Sequence, residues 1–263
     1  MPVLSGKKVV LLGAGNVAWH LGRALHKSGA EIVQVWNRSQ KPAVKLAHLL
    51  GAEAAWGEMP VAGKAHLYVI AVKDDAIIQT VARIPKGNGI AVHTAGSVAL
   101  TALEQAGTRY TGVIWPLQSL TAQRRINFSK VPLCIEASSP AAAKMLKLFA
   151  HALSQNVTEL SSQQRAHLHL AAVMVNNFSN HLFTLAEEIT SAQKIPFHIL
   201  HPLITETAEK IKHLAPAAAQ TGPALRGDKA VMQRHLLLLQ HHKDLQQLYK
   251  LLSKSIQHTH RSL

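Results

Sequence analysis

Three groups of residues in this chain have types and spacing suited to chemistry. The first is Gly13-Ala14-Gly15-Asn16-Val17-Ala18, set between the apolar run Val9-Val10-Leu11-Leu12 and an amphipathic stretch. In such a turn the first glycine permits a tight bend, and the second lets the backbone approach a pyrophosphate. The small third residue lets strand and helix pack closely. The helix start at Asn16 and Val17 adds free N–H groups and the positive end of a helix dipole. A turn that merely needs glycine is the competing reading, and the flanking strand-helix-strand pattern argues against it.

The residues after the second strand select the ligand. Asn37-Arg38-Ser39 stands where an NAD-binding chain carries an acid for the ribose 2′-hydroxyl. Arg38 can pair with a 2′-phosphate, and Asn37 and Ser39 can hydrogen-bond to it, so the cofactor expected is NADP. Two later loops should face the same ligand, because ligands sit at the C-terminal ends of parallel strands. One holds Val72 and Lys73. The other is His93-Thr94-Ala95-Gly96-Ser97, where Gly96 allows close approach and His93 and Thr94 have groups for cofactor or substrate. A histidine satisfied by neighbouring backbone is an equally open reading of His93.

The second group lies on a helix. His169, Asn176 and Asn180 fall near one otherwise apolar face at helical spacing. They line a cleft or else satisfy one another inside a core, since buried amides and imidazoles need partners. The third group is Thr221-Gly222-Pro223-Ala224-Leu225-Arg226-Gly227-Asp228. Thr221, Arg226 and a helix start could together receive a carboxylate or phosphate, and helix capping alone is the alternative. The histidines lack a closed metal-ligand set, so no metal is expected.

These residues need a frame. Strand-like runs at 8–12, 31–36, 67–72, 90–93, 110–114, 132–135 and 156–160 alternate with helical stretches at 17–28, 41–50, 74–83, 99–106 and from 140. That alternation predicts an α/β fold, a mostly parallel Rossmann-type sheet over residues 1–161. From 162 to 263 the chain reads as all-helical, with long helices at about 162–192, 199–214 and 226 to the end. Pro196, Pro202, Pro216 and Pro223 punctuate them. This half is expected to serve substrate binding and dimerisation.

The chain has 263 residues, a formal charge of +14 and one cysteine, Cys134. The basic residues are dispersed and not interleaved with aromatics, which argues against nucleic acid as the main partner. No apolar run reaches bilayer length, and a single cysteine fits a reducing compartment, so a soluble cytoplasmic protein is expected.

Taken together, Gly13-x-Gly15-x-x-Ala18, His93-Thr94-Ala95-Gly96, Trp115-Pro116-Leu117-Gln118-Ser119, His169-Leu170-Ala171-Ala172, Asn176-Asn177-Phe178 and Thr221–Asp228 resemble a known group. It is the predicted NADP oxidoreductases that join a Rossmann-like domain to a helical domain of unknown function. They are similar to pyrroline-5-carboxylate reductase and to deazaflavin-coupled NADP reductases, and more distantly to 6-phosphogluconate dehydrogenase. The resemblance implies a homodimer with its site between the two domains, and reduction of a small oxo acid such as ketopantoate. Relatives tend to carry His-Pro where this chain has Trp115-Pro116. Hydroxyacid dehydrogenases place a lysine near the position of Val173. His169 is therefore the expected proton donor, with Asn176 orienting it or the substrate, and Thr221 and Arg226 clamping a carboxylate. A non-catalytic NADP-binding or redox-sensing protein is the alternative.

Overall fold

The computed structural model describes residues 2–122 and 124–261. The first strands and helices are β1 (Lys8–Leu12), α1 (Asn16–Lys27), β2 (Glu31–Asn37), α2 (Gln40–Leu50), β3 (Glu53–Trp56), β4 (Leu67–Ile70), α3 (Ile77–Val81) and β5 (Gly87–His93). They are followed by β6 (Thr108–Pro116), β7 (Leu133–Ala137), α4 (Pro140–Leu153) and β8 (Val157–Glu159). One eight-stranded sheet has the order β3-β2-β1-β4-β5-β6-β7-β8. All neighbours are parallel except β6 and β7. The chain leaves β1 toward β2 and later resumes on the other side at β4. The crevice at the C-terminal ends of β1 and β4 is thus the topological switch point.

The apolar run of β1 follows from burial on both faces. Val9 and Leu11 join a core with α1, α2 and α4, while Val10 and Leu12 join a second core with α3 on the opposite face. α4 starts as its sequence suggests: Pro140 opens it, and Ser139 Oγ accepts from the Ala142 N–H at 3.2 Å.

Some elements differ from expectation. The short strand β3 was not anticipated, because its Glu-Ala-Ala-Trp sequence is too small and mixed to read as a strand. The helix expected over 74–83 divides into a 3₁₀ turn, Asp74–Ala76, and the five-residue α3. The helix expected over 99–106 is a 3₁₀ turn, Leu100–Leu103.

The chain divides into two compact units, one ending at Asn177 and the other beginning at Phe178. The first unit takes in α5 (Ser162–Ala172), which opens with a reciprocal capping box between Ser161 and Gln164. After α5, Val173–Phe178 winds as a π-helix. The second unit holds α6 (Ser179–Ala192), α7 (His201–Lys210), the short α8 (Pro216–Ala219) and α9 (Pro223–Arg226), then α10 (Lys229–Leu238) and α11 (Lys243–Arg261). The long helix expected from 226 onward is therefore split. Gly227, at φ +68°, closes α9, and the Asp228 carboxylate caps α10 by accepting from the Val231 N–H at 3.0 Å. Among the described residues no helix is long and apolar enough to cross a membrane.

Candidate functional site

The switch point is built around one close backbone contact. Gly13 has φ +113°, and a Cβ there would lie 2.2 Å from the Ala71 carbonyl oxygen. Its N–H donates to the Trp36 carbonyl at 2.7 Å, and the Ala71 N–H donates to Leu12 at 2.7 Å. The turn is thus fixed between β2 and β4. Gly15 differs, for a Cβ at this position would meet nothing within 4 Å. Gly15 is the N-cap of α1 and has no side-chain cap, so the first-turn N–H groups face no protein side-chain acceptor. Open space above bare amides fits a pyrophosphate. Asn16 Oδ1 accepts from the Ala122 N–H at 3.2 Å, which ties the start of α1 to the 121–122 segment. His20 Nε2, one turn further, lies 2.9 Å from the Thr121 oxygen. Val17 packs against the core.

At the end of β2, Asn37 Nδ2 donates to the Ser39 carbonyl at 3.0 Å and to Ser39 Oγ at 3.1 Å. Ser39 is the N-cap of α2 without a side-chain cap bond, which leaves its hydroxyl proton and the helix amides available. Arg38 beside it is exposed. This corner is rich in donors, and it fits a 2′-phosphate.

The β4 and β5 loops are tied by Ser97 Oγ donating to the Asp74 carboxylate. Val72 is half-buried against the core. His93 is fully buried, and its Nδ1 accepts from the Ala95 N–H at 3.2 Å, so its side chain shapes the turn from within. Thr94 is likewise buried, its N–H donating to the Ile70 carbonyl at 3.2 Å. Both side chains are therefore taken up inside the protein, and only the loop backbone is left to face a ligand. Burial first, and the Arg165 charge second, push the His93 imidazole down to about 4, against weaker upward pulls from the Ala99 backbone, Glu136 and Asp74.

Gly96 lies at a three-way junction. A Cβ there would lie 2.6 Å from His169 Cδ2 and 2.6 Å from Trp115 Cε2. The Trp115 and His169 rings are tilted by 51° with centroids 5.7 Å apart. The structure thus brings the β5 loop, the end of β6 and α5 together at His169, which is half-buried. Asn176 is not joined to His169. It sits in the π-helical segment, whose wider winding breaks the 3.6-residue spacing, and its one side-chain partner is Asn177 Oδ1 at 3.5 Å. Asn180, Thr221 and Arg226 belong to the second unit, and all three are exposed.

Two residues escaped the sequence reading. Arg165, only 1% exposed, pairs with Glu136 of β7 and also donates to the Val98 carbonyl. Glu136 in turn accepts from the Ser162 N–H at 2.9 Å, and Ser162 Oγ accepts from the Leu100 N–H at 3.0 Å. The available signal was Arg165 standing four residues before His169, one helical turn away on the same face.

A glycine-rich turn at a parallel-sheet switch point, followed by a helical half, defines a protein of the Rossmann class. Residues 131–256 match the family model for a domain of unknown function (DUF2520), and residues 1–81 match that for shikimate/quinate 5-dehydrogenase. A candidate NADP oxidoreductase from Bacteroides fragilis is 40% identical, with a TM-score of 0.90 over 97% of this chain and 99% of that one. The chain belongs to this family of NADP oxidoreductases. The fold is shared with a reductive aminase from Aspergillus terreus solved with NADPH and ethyl-5-oxohexanoate (15% identity, TM-score 0.68, 97% of this chain and 94% of that one). It is shared too with 1-pyrroline-5-carboxylate reductase from Streptococcus pyogenes (10% identity, TM-score 0.60, 95% and 98%). A 58-residue stretch is 48% identical to glutamyl-tRNA reductase from Akkermansia muciniphila, covering 20% of this chain and 17% of that protein.

The buried His93 gives a pH signature. Its native value of about 4 lies below the ordinary 6.5, so between these values the unfolded chain binds more protons. The neutral ring's contribution is full above pH 6.5 and is lost as the pH falls toward 4, by up to about 3 kcal/mol. His93→Asn, which keeps an acceptor for Ala95, should flatten this fall when urea midpoints are compared across pH. An unchanged pH slope in the variant would show that other groups cause it.

Proposed function

We propose that the chain is an NADPH-dependent reductase of a small carbonyl or imine compound bearing a carboxylate, an oxo acid such as ketopantoate being the first to try. The observation that carries this reading is the pairing of two uncapped helix starts with Arg38, beside a half-buried imidazole at Gly96. The amides of Asn16 and Val17 would hold the pyrophosphate, and Asn37, Arg38 and Ser39 the 2′-phosphate. When bound, NADPH supplies the hydride. The backbone of Val72, Thr94 and Gly96 would flank the nicotinamide, and the buried His93 would keep that loop in shape. Nε2 of His169, next to the ring carbon that meets Gly96, would give its proton to the oxygen or nitrogen that gains charge. Asn176 is proposed to hold a polar group of the substrate; Thr221 and Arg226, which belong to the second unit, are proposed to bind a carboxylate.

We further propose a homodimer. Among the described residues after 160, Ala224 is the only buried hydrophobic one. Val175, Phe178, Ile199, Leu203, Leu238 and Leu251 are 52–78% exposed. A helical half without a core of its own needs a permanent cover, and a second copy of the same helices supplies one of matching character. Sedimentation equilibrium at micromolar concentration should give twice the mass of one chain. A monomer with intact helical circular dichroism would refute this.

Titration with NADPH and NADH tests the cofactor assignment. NADPH should bind more tightly, and Arg38→Ala should weaken NADPH by roughly 10–100-fold while leaving NADH nearly unchanged. Equal loss for both nucleotides would remove Arg38 from the 2′-phosphate site. With a turned-over oxo acid in hand, His169→Ala should reduce kcat by roughly 10²–10⁴-fold and spare NADPH binding. Full turnover in that variant would remove His169 as the proton donor.

A further inference from the structure

We propose that Arg165 is a positioning residue: with Glu136 it locks the 94–100 loop to the start of α5, and so holds His169 against Gly96 and Trp115. The catalytic meaning of this placement rests on the reading of His169 above, but the placement itself does not. A fully buried guanidinium is costly to desolvate and is retained only where its partners are fixed. Here the partners come from three separate elements. Glu136 lies on β7, Val98 on the β5 loop, and Ser162 at the first turn of α5, with its Oγ 3.4 Å from an Arg165 terminal nitrogen. Ser162 closes the ring of contacts, since its N–H and hydroxyl both donate to Glu136 while its oxygen receives the Leu100 N–H. His169 stands one helical turn beyond Arg165, so fixing Arg165 fixes the azimuth and depth of His169. The fit at the far end has little slack, as even a methyl group on Gly96 would strike both rings.

A merely structural arginine would affect stability alone, whereas a positioning one also controls the contact between His169 and Trp115. That contact has an optical signature in the protein without cofactor or substrate. A histidine ring packed on an indole quenches its emission. Tryptophan emission at one fixed pH should therefore rise from the wild type to His169→Asn, and that rise should be absent in a Trp115→Phe background. Arg165→Met should show the same rise, and Arg165→Lys, which can still pair with Glu136, only part of it. If Arg165→Met does not fold, Glu136→Gln serves instead, and should show part of the rise while retaining a partner for Ser162.

Emission left at the wild-type level in Arg165→Met, or in Glu136→Gln where that variant is the one used, would overturn the proposal. A wild type whose emission does not rise on His169→Asn would overturn it too, because the ring contact would then be missing. No outcome of this measurement bears on whether NADPH binds or which carbonyl is reduced. A failure of the reductase reading thus remains a separate result.

Discussion

The contact between the backbone of Gly13 and the carbonyl of Ala71 constrains everything at the C-terminal edge of the sheet. It exists because β1 and β4 are neighbours whose following segments diverge, so two chain exits share one narrow place. A side chain at residue 13 would overlap Ala71 at 2.2 Å, and its backbone would have to leave φ +113°. With the turn pinned there, α1 starts at Asn16 with its amides directed beyond the sheet edge. The next glycine then has space above it that no protein atom fills. The open start of α1 is in this sense a consequence of strand order, and the strand order follows from which apolar runs can be buried on two faces.

The remainder of the edge is held by polar ties among loops that have little regular structure of their own. Ser97 binds Asp74, Asn16 and His20 hold the 121–122 segment, and Arg165 with Glu136 gathers the 94–100 loop to α5. Each tie joins residues far apart in sequence, so each orders a loop at an entropic cost that only a folded sheet can offset. The His93 ring shows the same logic from inside. Burial and a neighbouring guanidinium keep it neutral, and a neutral ring can accept the Ala95 amide that a charged one would reject.

Sequence pattern revealed the sheet because its strands are buried on both faces and read as unbroken apolar runs, with β1 and the turn after it the clearest case. It failed for β3 and for the segments 74–83 and 99–106, where short length leaves no period to count. The Gly13 turn was legible because glycines at such a bend follow local rules of backbone conformation. Arg165 and Glu136 were not, since their significance lies in a pairing across 29 positions that no local rule encodes. The stripe of His169 with Asn176 failed for a different reason. It assumed a uniform α-helical period, and the π-helical turn at Val173–Phe178 changes that period between the two residues.

The helical half poses the opposite problem from the sheet. Its leucines and isoleucines recur at helical spacing, which sequence alone reads as a core, yet the folded chain leaves most of them exposed. A sheet can be covered by helices of its own chain, whereas α6 through α11 have no layer of their own to close on. The pattern therefore encodes burial without encoding against what. Such a half is stable only if its apolar face is completed from outside, and in the proposed homodimer association would be part of its folding. The basic surplus of the chain does not oppose this, since the exposed residues at the centre of the argument are apolar. A Lys or Arg bordering an apolar face can keep its charge in water while its stem covers part of that face.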